Sequence, residues 1–375
     1  MDTLEPIVPG TTEAEPVVAP PPDGPLPRWV KVLAWLAAVV AVAIGVSSIV
    51  YVDYYSLGPG PSDPTEPRVR ADNVPLYVDE DDGRILFATV RERHLTALAA
   101  VVGWLDPHVD VIETKKLFGT QSRKESREQS VRAMGASKDT ALYVALRQLG
   151  YPVQVSSQGL IVTFIGKTPA ADVLKINDII TSFDDKPVSS IDDVRSVTAA
   201  HQPGDVVAIG IKRNAEVINT SVTLAKRDTD GSAYLGISYD LPADAKFSYP
   251  FPISIDSGDI IGPSAGLAFT LGTIDALTPG SLTAGQRIAA TGTIDVNGQV
   301  GPIGGIQQKV TAVRQAGATV FLVPASEAEE AEKAVGTTGL EIVPVNNIGE
   351  ALTALDKIGG NALKLGTPGA SYTGS

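Results

Sequence analysis

The sequence predicts a mixed protein: an α/β (α+β) domain with a small β-rich domain beside it, preceded by one transmembrane helix. Three observations predict it. No charged residue occurs from Val32 to Val52; short strand-like runs separated by turn residues fill about Val155 to Leu224; and strand and helix patterns alternate from about Tyr234 to Leu355. At 375 residues with 43% hydrophobic content, the chain can build more than one core.

Residues 1–28 are rich in Pro and acidic side chains, as in Glu13, Glu15 and Pro20-Pro21-Pro22-Asp23, and are expected to form a disordered cytoplasmic tail. Residues 29–52 follow as the transmembrane helix, since about twenty apolar residues span a hydrocarbon core of roughly 30 Å. Arg28 and Lys31 flank its start and Asp53 its end, so the positive-inside bias keeps the N-terminus in the cytoplasm and exports the rest from the cytoplasmic membrane. Trp29, Trp35, Tyr51, Tyr54 and Tyr55 suit the two interfaces. A cleaved signal peptide competes, because Ala41-Val42-Ala43 satisfies the small-residue cleavage rule. The apolar run continues through Ile44, Val46, Ile49 and Val50, longer than an ordinary signal core.

Residues 53–74, with the stretch SLGPGPSDPTEP from Ser56 to Pro67, read as a Pro/Gly linker. In residues 75–152, Arg84 to Val90 has strand character and 121–133 is highly polar. Lys138 to Leu149 then carries Ala141, Leu142, Ala145, Leu146 and Leu149 at helical spacing, stopped by Gly150 and Pro152. In residues 153–228 the expected strands are Leu160 to Ile165, Asp178 to Phe183, Val206 to Ile211 and Val217 to Leu224, with a helix over Ile191 to Ala200. Residues 229–358 hold the α/β pattern, and 359–375 form a flexible tail.

Composition excludes several functions. The net charge of −13 argues against a nucleic-acid surface, which needs clustered Lys and Arg. The absence of cysteine removes disulfides, thiolate nucleophiles and cysteine-ligated zinc. His94, His108 and His201 lie in no metal-ligand spacing, so no metal or cofactor is expected. Gly166-Lys167-Thr168 looks like the end of a phosphate-binding loop, but that motif needs glycine where the chain has Ile161; no nucleotide partner is expected.

Chemistry concentrates in the last third. Ser264 lies in Gly262-Pro263-Ser264-Ala265-Gly266, after Ile253-Ser254-Ile255 and at the start of a helix with Leu267, Leu271 and Ile274 on one face, ending at Thr278-Pro279-Gly280. A serine there sits beside unpaired helix N–H groups and the positive end of the dipole, which stabilise an oxyanion. The candidate donors are the N–H groups of Gly262, Ser264 and Ala265. Taken alone, the same serine is a helix cap. A nucleophilic serine needs a base, and no histidine follows Ser264. Lys309 is the candidate: it edges the apolar stripe Ile306, Val310, Val313 and Ala316, where burial would lower its pKa towards neutrality. Taken alone, it is a surface lysine with a buried stem. Arg287 to Thr291 reads as a strand, Ile294 to Val300 as a hairpin with an Asn297-Gly298 turn, and Thr319 to Val323 as a further strand.

In order, Ile261-Gly262-Pro263-Ser264-Ala265-Gly266, Thr291-Gly292, Gly301-Pro302-Ile303-Gly304-Gly305-Ile306-Gln307-Gln308-Lys309-Val310 and Ala316-Gly317 resemble the proteolytic domain of Lon proteases. The resemblance implies Ser264 as nucleophile, Lys309 as general base and Thr291 as the hydroxyl that positions the lysine amine. The stretches Gly159-Leu160-Ile161-Val162 and Ala171 to Ile180 resemble a PDZ domain, which implies that Gly159, Leu160, Ile161 and Val162 bind the end of a peptide that pairs with the strand. Asn177 stands where that family usually has glycine; asparagine tolerates a left-handed conformation. Ile261 and Thr293 stand where Lon proteases carry acidic residues, which bears on the polarity of the cleft.

The whole layout resembles bacterial membrane-anchored PDZ-containing Lon-like serine proteases. It implies an ATP-independent endopeptidase acting on unfolded or flexible extracytoplasmic polypeptides, with a PDZ unit inserted into a discontinuous protease domain and, by resemblance, self-association into homo-oligomers. The rival is a noncatalytic membrane-tethered PDZ adaptor or a chaperone-like peptide-binding protein.

Overall fold

The computed structural model describes residues 27–77, 83–106, 109–119, 121–227, 230–242, 245–337 and 339–361. The expected tail over 1–28 lies outside them except for its last two residues, and that over 359–375 except for its first three.

The elements that position the site are, in chain order, α1 (Arg28–Ser47), β1 (Tyr51–Pro64), β2 (Arg84–Thr96), α2 (Ala97–Gly103), β3 (Asp110–Glu113) and α3 (Arg123–Gln148). Next come β4 (Leu160–Ile165), β5 (Ile179–Phe183), α4 (Ile191–Ala199), β6 (Val206–Arg213), β7 (Glu216–Thr223) and β8 (Ile237–Asp240). The last set is α5 (Gly266–Leu277), β9 (Arg287–Ala290), α6 (Ile306–Gln315), β10 (Val320–Pro324), β11 (Glu341–Val345) and α7 (Ile348–Ile358).

The larger sheet runs β11-β10-β9-β2-β1-β3. Its members from β11 to β2 are parallel, and β1 and β3 add antiparallel. Strand side chains alternate between two cores, as the two-residue period requires. Ile85, Phe87, Ile288, Ala290, Val320 and Leu322 face the core shared with α5 and α3. Leu86, Ala88, Ala289, Phe321 and Val323 face Ile306, Val310 and Val313 of α6. The result is a three-layer arrangement with a serine-bearing segment on one face and a lysine-bearing helix on the other. All residues of α5 are buried, because α3 covers the side away from the sheet; the apolar stripe expected from the sequence is therefore an all-round apolar helix.

Four expectations need correction. Ser56 to Pro64 is not linker but part of β1, which pairs with β2 along its length. Its prolines are tolerated because the register shifts between Pro59 and Ser62, where ladder donors are not needed. Gly60 is required there: a Cβ would lie 2.3 Å from the Thr89 hydroxyl. Second, α1 ends at Ser47, and the apolar residues to Val52 turn and enter β1. Third, Tyr55 is not at a membrane interface; it is buried, stacked on His94 at 4.7 Å between centroids. Fourth, the polar stretch before Lys138 is helical. Ser122 and Glu125 form a capping box that starts α3 at Arg123, fifteen residues before the expected start at Lys138.

The smaller sheet runs β7-β6-β5-β4-β8, with Lys186–Pro187 also pairing to β5. Asn177 has φ 73°, the left-handed conformation anticipated for it. This sheet also takes β8 from beyond residue 228.

Candidate active site

Ser264 lies in a single 3-10 turn, Pro263–Ala265, that leads directly into α5. Gly262 enters the turn at φ 92° and ψ 152°, a region occupied essentially by glycine alone and costing other residues about 1–3 kcal/mol. The turn is tied down on three sides. Ser137 of α3 donates its hydroxyl to the Pro263 carbonyl at 3.0 Å, Gly262 N–H donates to the Ser130 carbonyl at 3.0 Å, and Gly292 N–H donates to the Ser264 carbonyl at 3.0 Å. The bond to Ser130 commits the Gly262 N–H and removes it from the oxyanion donors expected from the sequence. Ser264 and Ala265 belong to the first turn, where N–H groups lack helical acceptors.

Lys309 comes from the opposite face of the sheet. It is 2% exposed, although the spacing placed it only at the edge of the apolar stripe. Its Nζ lies 2.8 Å from Ser264 Oγ and 2.9 Å from Thr291 Oγ1. Thr291 directly follows the carboxyl end of β9 and is fully buried. Its hydroxyl donates to the Ser264 carbonyl at 3.1 Å, so towards the amine it can only accept. A neutral lysine amine has two N–H groups and one lone pair. With one N–H directed at Thr291, the lone pair is free to receive the Ser264 hydroxyl proton.

Burial supplies the neutral amine. Desolvation lowers the Lys309 pKa from 10.5 to about 8, opposed in part by the Glu327 carboxylate. Glu327 accepts from Ile303 N–H at 2.9 Å and thereby holds the turn that precedes the lysine helix; burial raises its own pKa. Beside the dyad opens a cleft of about 460 Å³, lined by Leu57, Val90, Leu117, Ile261, Gly304 and Gly305 among others. Ile261 and Ile260 make one wall apolar.

Ser130, Ser137 and Glu327 carried no signal in the sequence. Each lies among other polar residues that look alike in sequence, and their partners lie 24 or more positions away.

The structure does not bring Gly159, Leu160, Ile161 and Val162 to a peptide-accepting edge. Leu160 and Ile161 pair with Ile180 and Ile179 on one side, while Ile161 and Val162 pair with Asp240 and Tyr239 on the other. With both edges occupied, β4 cannot take an added strand. The sheet ends instead at β8. There Asn297, at the tip of the protease-side hairpin, donates to the Tyr239 carbonyl at 3.3 Å and accepts from Arg195 of α4 at 3.0 Å.

The family model of the Lon protease (S16) C-terminal proteolytic domain matches residues 253–356, a range that contains Ser264, Thr291 and Lys309. The chain carries a Lon proteolytic domain. The PDZ domain model matches residues 147–224, ahead of the Lon domain. Lon protease 2 of Bacillus subtilis (strain 168) is 29% identical over 163 residues, 42% of this chain and 28% of that protein. The Lon protease of Desulfosudis oleivorans is 31% identical over 147 residues, 39% of this chain and 16% of that protein. The chain thus spans under a third of the length of either relative. A solved PDZ domain, that of the SdrC-like protein from Listeria monocytogenes, is 28% identical, with a TM-score of 0.22, covering 23% of this chain and 92% of that one.

Proposed function

We propose that the chain is a membrane-anchored serine endopeptidase that works through a Ser264–Lys309 dyad without ATP and cleaves flexible or unfolded polypeptides outside the cytoplasmic membrane. The observation that carries the proposal is the 2.8 Å approach of a buried amine to a hydroxyl held at a helix entrance.

In the first step Ser264 Oγ attacks the scissile carbonyl carbon while Lys309 Nζ takes the hydroxyl proton. The oxyanion meets the N–H groups of Ser264 and Ala265. Nζ then gives its proton to the departing amine, leaving an acyl-serine. Water, deprotonated by the same amine, releases the carboxylic acid product and restores the serine. Thr291 holds the amine on line. The apolar cleft beside the dyad has room for an extended chain, which supports flexible substrates.

The protease domain is proposed to be discontinuous. Its support is that β2, which precedes the PDZ unit and carries β1 on its other edge, pairs with β9, and that α3 packs on α5; β9 and α5 both follow the unit. The PDZ unit is proposed to select or regulate substrates. The helix α1, twenty residues long with none buried, supports a membrane anchor, and Arg28 and Lys31 at its start support a cytoplasmic N-terminus.

The test is cleavage of an unstructured protein by the full chain and by Ser264→Ala and Lys309→Ala. Both variants are expected to fold and to lose activity. Full activity in either folded variant would falsify the dyad, and labelling of Ser264 by a serine-directed probe separates a protease from a tethered adaptor.

A further inference from the structure

We propose that the short helix α2 and the two residues after it form a second membrane contact, which rests the protease domain on the lipid surface beside the anchor. This rests on the reading of α1 as a membrane span.

From Leu95 to Leu105 the chain carries no charged side chain, a stretch that the catalytic chemistry does not use. Ala100 and Gly103 turn inward and are buried, with Gly103 so close to β3 that a Cβ would lie 2.8 Å from Val111. The opposite side of the helix is bare. Val101, Val102, Trp104 and Leu105 are 52, 58, 59 and 80% exposed. Among the described residues, the other exposed large apolar residues outside the anchor region are the pair Leu76-Tyr77 and single positions such as Val131, Phe164, Ile176 and Val217. A clustered apolar face of this kind marks a contact surface.

Position decides what covers it. The Ala97 N–H that opens α2 donates to the Val50 carbonyl at 2.9 Å, three residues after α1 ends, and Thr96 pairs with Tyr51. After the Ser47-Ser48 pair, Ile49, Val50 and Tyr51 are themselves exposed, so apolar surface leads from the end of α1 onto α2. The Trp104 ring meets Tyr54 edge-on, at 5.6 Å between centroids. Tryptophan with tyrosine is the pair that settles at the boundary between acyl chains and head groups. A lipid interface is therefore the occupant that fits, with α2 lying in it as a short interfacial helix.

Trp29, Trp35 and Trp104 are the three tryptophans of the chain, which makes the test direct. The full chain with Trp29→Phe and Trp35→Phe leaves Trp104 as the sole emitter; Trp29→Phe with Trp104→Phe leaves Trp35. Both are reconstituted into phosphatidylcholine vesicles whose acyl chains are brominated near the head group or near the terminal methyl. Trp104 is expected to lose most of its emission to head-group-proximal bromines and to resist quenching by aqueous acrylamide. Trp35 quenched by bromolipid with Trp104 unquenched and open to acrylamide would overturn the proposal while leaving the anchor intact. An unquenched Trp35 would instead remove the anchor, and Trp104 would then report the second contact alone.

Discussion

Thr291 accepts a hydrogen bond from Lys309 Nζ at 2.9 Å with its own hydroxyl proton already given to the Ser264 carbonyl at 3.1 Å. This fixes the sense of the amine as well as its place, since one N–H is occupied and the lone pair is left for Ser264.

Removing that hydroxyl while keeping its volume isolates its role. Thr291→Val is expected to lower kcat by about 10- to 100-fold, the cost of one hydrogen bond to a group that becomes charged. Thr291→Ser is expected to retain most of the activity. Equal loss in both variants, measured by steady-state peptide hydrolysis, would mean that threonine acts there through packing alone.

The lysine is retained at a cost to stability. An amine that titrates at about 8 rather than 10.5 destabilises the folded state, in its protonated form, by about 3 kcal/mol. The folded state binds fewer protons than the unfolded one between those values, so the penalty is complete below about pH 8 and fades as the pH rises towards 10.5. Lys309→Met is expected to abolish cleavage and to raise the melting temperature at pH 7, with the gain shrinking at higher pH. Calorimetry across that range checks it; a melting temperature that falls at pH 7 contradicts it.

The nucleophile turn has its own requirement. Gly262 has a positive φ, and no atom stands within 4 Å of where a Cβ would be, so Gly262→Ala adds backbone strain without a clash. About 1–3 kcal/mol of strain is expected, seen as a lower unfolding free energy together with reduced kcat. Denaturant titration and kinetics on one preparation measure both.

Asn297 joins the two domains through Arg195 and Tyr239. Asn297→Ala is expected to loosen the outer edge of the PDZ sheet by about 1 kcal/mol. Hydrogen exchange of the amides from Ile237 to Leu241 should then be several-fold faster, with the amides of α5 unchanged.

Much of the site was legible because its signals are local. Ser264 and Lys309 each sit in a short motif that opens a helix, and the stripe Ile306, Val310, Val313 betrayed the burial beside Lys309. What escaped were pairings across long separations. Ser56 to Pro64 has linker composition, and only β2 makes it a strand, by supplying a partner that tolerates a bulge at Pro59. Ile237 to Asp240 is four residues long and joins β4 from more than seventy positions away, which closed the edge expected to bind peptide. At Ser47 hydropathy did not announce the end of the helix, because beyond the Ser47-Ser48 pair the chain is again apolar, through Ile49, Val50 and Val52.

A pH titration of the Lys309 Cε chemical shift in the full chain, assigned by comparison with Lys309→Met, reports the neutral amine itself. Its midpoint is expected near 8, moving with the rise of kcat/KM. A midpoint at the ordinary lysine value of 10.5 would contradict it, because Ser264 would then face a permanent ammonium at neutral pH.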